Sequence, residues 1–197
     1  MNLRKHSAWA SLLAVAVFIS TLVGNPATAA AAAPAKADIV AYLARHEGQM
    51  PAMMGVPEAV DMALKSHAAN DGSTTHLRWG DLSGQQLYVV SLFPDLGIIK
   101  TGKDVSKDEL TAFVNAHLDL LADPRVCFGT WFNKDDGNTY VDINVVLADK
   151  DAAVELGKRY NQISIFNLST FEETKTGGDG KPVANLPAPM NRLPEFK

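Results

Sequence analysis

Two apolar runs joined by Asn133-Lys134-Asp135-Asp136-Gly137-Asn138 constrain this chain more than any other stretch. Asp-Gly between strand-like runs is a strong hairpin signal, because a type I′ turn needs positive φ at both central residues. With Asp136-Gly137 in those places, Phe132 faces Val141, Thr130 faces Ile143, Phe128 faces Val145 and Val126 faces Leu147. One side of the ribbon is then almost wholly apolar. A slip of one residue would set the apolar positions of one strand against the polar positions of the other, so turn and pattern select the same faces. The second side pairs Asn133 with Tyr140, Trp131 with Asp142, Gly129 with Asn144 and Cys127 with Val146.

A ribbon with one apolar side needs cover, and the flanking sequence supplies helices. Ser106-Lys107-Asp108-Glu109 is a capping box, in which hydroxyl and carboxylate each satisfy an orphan backbone N–H. Leu110, Phe113, Val114, His117, Leu118 and Leu121 follow at helical spacing until Asp123-Pro124 ends the run. Upstream, Pro57 fits the first turn of a helix whose stripe is Ala59, Val60, Ala63, Leu64 and His67, stopped by Asn70-Asp71-Gly72. A shorter helix is expected from Asp38 to Gly48. Downstream, Asp149 or Asp151 can cap a helix carrying Ala152, Ala153, Leu156 and Tyr160, with Gly157 permitting close approach to a sheet.

Strands are expected over 75–79, over 87–93 and over 162–168, the last continuing past Ser169-Thr170 to Thr174. The 87–93 run is apolar on both faces, which marks an interior strand. The reading is an α+β fold. Its sheet is mostly antiparallel and built around the 126–147 hairpin, with helices packed on it in the order β-β-α-β-β-α-β after two short helices.

The ends read differently. Arg4 and Lys5, an apolar run from Ala10 to Gly24 and Ala27-Thr28-Ala29 form a secretory signal over 1–29, bacterial in character. Its apolar core is shorter than the ~20 residues of a spanning helix, so no stable membrane insertion is expected after cleavage. An Ala-rich spacer covers 30–37, a helical segment 38–72 and the α+β core 73–176. A Gly/Pro-rich extended tail covers 177–197, with Leu186, Met190, Leu193 and Phe196 as the residues that could lie on the domain. The chain is expected to be secreted, periplasmic or on the cell-envelope exterior.

With a single cysteine, Cys127, no intrachain disulfide forms, and stability has to come from packing. The formal charge of −4 falls to −6 once Arg4 and Lys5 leave with the signal, which argues against nucleic acid or an anionic membrane as partner. His46-Glu47 opens like a zinc-peptidase helix, but Met50 stands where the second histidine belongs. His67 and His117 sit on apolar helix faces and His76 stands apart from both, so no metal or other cofactor is implied. Asn133, Asp135 and Asp136 form a loop too short for an EF-hand.

No nucleophile elbow surrounds any serine. Glu172-Glu173 and Asp135-Asp136 are adjacent acids, which on a strand point to opposite faces and make no glycosidase dyad. The polar side of the ribbon remains. Trp131, Asn133, Tyr140, Asp142 and Asn144 project together there, and flat aromatic surface beside fixed polar groups suits a protein, peptide or carbohydrate partner. The sequence therefore points to an exported, soluble, non-enzymatic binding module. Two alternatives stand beside it: a small secreted hydrolase using His117, Cys127 and Asp142, and a self-associating structural subunit.

Overall fold

A computed structural model of the chain describes residues 50–194. Helix α1 (Val56–Asn70) leads into β1 (Gly72–His76) and β2 (Gly80–Asp81), followed by β3 (Tyr88–Ser91) and β4 (Ile98–Thr101). Helices α2 (Lys107–Ala116) and α3 (Leu118–Leu121) precede β5 (Val126–Asn133) and β6 (Asn138–Leu147). Helix α4 (Lys150–Arg159), β7 (Ser164–Asn167), β8 (Glu172–Lys175) and a 3-10 turn (Pro189–Arg192) complete the order. The class is α+β. All eight strands form one curled antiparallel sheet in the order β2-β1-β5-β6-β3-β7-β8, with β4 continuing along β6 where β3 leaves off.

The β5–β6 hairpin lies at the centre, but its register differs from the sequence expectation by two residues. Val126 pairs with Val145, Phe128 with Ile143, Thr130 with Val141 and Phe132 with Thr139. The turn is the four-residue loop Lys134-Asp135-Asp136-Gly137, closed by Gly137 N–H donating to the Asn133 carbonyl at 2.9 Å. Of the Asp-Gly pair only Gly137 has positive φ, at 72°, so a type I′ turn is ruled out. The side chains of Asn133 and Asp136 instead accept from the backbone N–H groups of Asp135 and Asn138, at 3.0 and 2.9 Å, and hold the wider loop. A shift of two preserves every residue's face. The apolar side therefore remains intact: Val126, Phe128, Ile143 and Val145 are fully buried in one core with Val60, Ala63, Leu110, Val114 and Ala153 from the helices. Each of the valine, leucine, isoleucine and phenylalanine side chains contributes roughly 1.5–3 kcal/mol relative to exposure.

The capping box forms as the sequence predicts, with Ser106 accepting from Glu109 N–H at 3.2 Å and the Glu109 carboxylate reaching back to Ser106 N–H. The helix it starts does not run unbroken to Leu121. At His117 the ring Nδ1 lies 2.8 Å from the Phe113 carbonyl, the usual helical partner of the His117 N–H, and that N–H turns to Val114 at 3.1 Å. The result is a break between α2 and α3. Asp149 caps α4 through Ala152 N–H at 2.8 Å. Gly157 packs so closely that a Cβ there would lie 2.8 Å from Thr176 and 3.0 Å from Ile165.

Two strands, β2 and β4, occupy what reads as loop in the sequence. The helix expected over 38–48, the signal segment and Phe196 lie outside the described residues. Beyond Thr176 the chain is held to the domain. Gly178 and Gly180 donate to Gln162 and Asn161, Leu193 is buried, and Arg192, 5% exposed, donates to the carbonyls of Pro187 and Leu92 and forks onto Asp95. Met190 stays exposed.

Candidate functional site

Alternation along the curled sheet puts one set of residues in the core and the other on the concave side. There they line a cavity of about 690 Å³. It receives side chains from nearly the whole width of the sheet: Trp131 from β5, Tyr140, Asp142 and Asn144 from β6, Ile99 from β4, Ser91 from β3, Phe166 from β7 and Glu173 from β8. Leu82, Leu87 and Leu168 close one end against Val89, Val146 and Phe166. At the opposite end Lys175 reaches Asp135 of the hairpin turn at 3.2 Å. Residues Asp179 to Pro182 form part of the wall.

All five residues singled out from the sequence line this cavity, in unequal roles. The corrected register brings Trp131 directly opposite Tyr140, with ring centroids 5.4 Å apart and planes inclined by 33°. The Tyr140 hydroxyl donates to Asp136 at 2.6 Å, and burial together with that carboxylate pushes its pKa up to about 12. Asn133 gives its carbonyl oxygen to the hairpin turn. Asn144 is 6% exposed, and its amide donates to the Asp142 main-chain carbonyl at 3.3 Å.

Asp142 is the unusual member. Its carboxylate accepts no hydrogen bond from any described residue. Although it keeps contact with solvent through the cavity, the protein packed around it desolvates the charge and raises its pKa to about 7. Two glycines make the space: a Cβ on Gly97 would lie 2.7 Å from Asp142 Oδ1, and one on Gly129 would lie 2.8 Å from Asn144 Nδ2.

The hydrolase set is not brought into mutual hydrogen-bond contact. The Cys127 thiol is buried, donates weakly to the Asn144 carbonyl at 3.6 Å and has its pKa driven upward by burial, the opposite of an activated thiolate. His117 is engaged at Phe113, on the helix side of the sheet. His67 bridges the Lys103 carbonyl and the Thr130 hydroxyl, each at 2.8 Å, as a histidine hydrogen-bonded at the core edge. His76, 1% exposed, faces the Pro124 carbonyl at 3.1 Å and accepts from Arg78 N–H, and burial lowers its pKa to about 4. Among the described residues no group of three or more His, Cys, Asp or Glu is placed to hold a metal, and no helix is long and apolar enough to cross a membrane.

Sequence reasoning missed Ile99, Ser91, Phe166, Phe171 and Glu173. Their place on the cavity depends on which strands pair across the sheet, and short strands carry little of that information. Phe171 leaves one local mark: it is exposed with φ at 58°, a conformation uncommon for an aromatic residue. Compared with protein-family models, with curated proteins and with solved structures, the chain matches none of them.

Proposed function

We propose that this protein is an exported, non-enzymatic binding module that takes a small organic ligand into the concave cavity of its sheet. The observation that carries the reading is the Trp131–Tyr140 ring pair beside Asp142 and Asn144 in one cavity of about 690 Å³, within the usual size range of small-molecule sites. An aromatic wall supplies apolar contact at small entropic cost, and a few fixed polar groups supply orientation. Binding is favoured over catalysis because Asp142's two companions in the hydrolase set are committed elsewhere, Cys127 as a buried thiol and His117 to a helix carbonyl, and the Tyr140 hydroxyl beside Asp142 is held by Asp136.

The test is a fragment screen by NMR on the isotopically labelled full chain. Fragments that bind are expected to shift the Trp131 indole and the backbone signals of Tyr140, Asp142 and Asn144 together, and Trp131→Ala is expected to weaken them at least tenfold. Shifts that cluster elsewhere, or that survive Trp131→Ala unchanged, would overturn the assignment.

A further inference from the structure

Several polar groups around the cavity are engaged by the protein itself while one carboxylate is not, and that carboxylate points to the chemistry of the ligand. The Asn144 amide donates to a main-chain carbonyl, the Tyr140 hydroxyl to Asp136 and the Ser91 hydroxyl to the Ile143 carbonyl at 3.3 Å. The cations near the cavity are likewise engaged. Lys134 pairs with Asp71 at 2.8 Å, Lys181 with Asp179 at 2.9 Å, and Lys175 with Glu173 at 2.8 Å and with Asp135. Asp142 alone faces the cavity as a carboxylate with no donor from the described residues. The acids along the wall, Asp71, Asp135, Glu173 and Asp179, outnumber its lining lysines, Lys134 and Lys181. An unpaired carboxylate in low-dielectric surroundings is costly, and a complementary cation offsets that cost. Beside it, the Trp131 and Tyr140 rings offer electron-rich faces to a cation or its apolar stem.

We infer that the cavity is built for a ligand carrying an ammonium group on an apolar or aromatic body, with the ammonium on the Asp142 carboxylate and the body against Trp131 and Tyr140. This rests on the cavity being a ligand site, and it adds the charge of the ligand. The glycines fit the same picture, since Gly97 and Gly129 leave room around Asp142 and Asn144 that any side chain would fill. Because burial raises the Asp142 pKa to about 7, an ammonium ligand should expel its proton on binding at pH 6. The charged and titratable groups facing the site are Asp71, Asp135, Glu173 and Asp179 with their lysine partners and Tyr140 with Asp136; ion pairs hold Asp71 and Asp179 down at about 2, and burial with Asp136 holds Tyr140 up at about 12.

The experiment compares 2-phenylethylamine with 2-phenylethanol, which has nearly the same shape and no charge, by NMR titration and calorimetry on the full chain. The amine is expected to bind at least tenfold more tightly at pH 8. Asp142→Asn should bring the ratio close to one, with the variant's fold checked by its amide spectrum. At pH 6 the enthalpy of amine binding should vary with the ionisation enthalpy of the buffer, reporting a released proton, and Asp142→Asn should remove that dependence. Equal binding of amine and alcohol with shifts at Trp131 would overturn the ammonium inference and leave the cavity as a ligand site. Failure of both to shift Trp131 at millimolar concentration would overturn both readings.

Discussion

At the scale of single residues, the site depends on what is missing from Gly97 and Gly129 as much as on what Asp142 carries. The two glycines differ in what a methyl group would meet, and this separates their roles. At Gly97 the nearest atom is Asp142 Oδ1, the end of a side chain that can swing away into the cavity. Gly97→Ala is therefore expected to cost less than about 1 kcal/mol of stability while displacing the carboxylate. At Gly129 the nearest atom is the Ser73 carbonyl oxygen of the neighbouring strand, 2.6 Å from the added carbon, and relief requires the sheet itself to move. Gly129→Ala is expected to cost roughly 1–3 kcal/mol or more, as overpacking does in cores. Urea denaturation of both variants at pH 7 checks the ordering. Equal losses would mean that the strand spacing at β1–β5 is not fixed by Gly129.

At the scale of elements, the C-terminal turn is held chiefly by one side chain. Arg192 is buried, stacks over Phe93 at 5.6 Å, donates to two carbonyls and clasps Asp95, whose pKa is lowered mainly by that contact. Removing one partner of such a pair leaves the other groups unmatched, so Arg192→Ala is expected to cost about 2–4 kcal/mol and to open residues 186–194 to proteolysis. Arg192→Lys should recover only part of this, because an ammonium cannot make the planar fork. Proteolysis and denaturation curves read both. The sequence could show Leu186 and Leu193 as apolar residues in the tail, but Asp95 lies 97 residues before Arg192, and no local pattern links them. The same limit runs through the fold. Capping at Ser106 and Asp149 and alternation along β5 and β6 are local, and they were legible. The hairpin register depended on Asn133 and Asp136 capturing backbone donors, which widened the turn, and the break at His117 depended on a side chain taking a helical acceptor. Strand β4 has two isoleucines, both exposed, and gained its place by pairing along β6. The five site residues were legible because a period of two needs no knowledge of neighbours, while the walls from β3, β4, β7 and β8 needed the strand order.

For the whole molecule, two groups set opposing trends of stability with pH. Asp142 has a folded pKa near 7, above the ordinary carboxyl value, so between about 4 and 7 the folded state holds more protons than the unfolded state. Its ionisation makes no difference to stability below that window; the cost grows as pH rises through it and is complete above about 7. His76 has a folded pKa near 4, below its ordinary 6.5, so the unfolded state holds more protons in that interval. Its neutral burial costs nothing above about 6.5, and stability is lost as pH falls toward 4. Over the shared interval the slopes oppose each other, each carrying on the order of 3 kcal/mol, less for Asp142 to the extent that cavity solvent screens it. The native protein should thus show a nearly flat stability profile from about pH 4 to 6.5. Asp142→Asn removes one of the two trends. Stability of that variant should rise with pH across the same interval, level off above 6.5 and exceed that of the native protein at pH 8 by roughly 1–3 kcal/mol, with the difference vanishing toward pH 4. Denaturant titrations at half-unit steps from pH 4 to 8 would show this, and parallel curves for the two proteins would mean that Asp142 finds as good a home for its charge in the folded chain as in water.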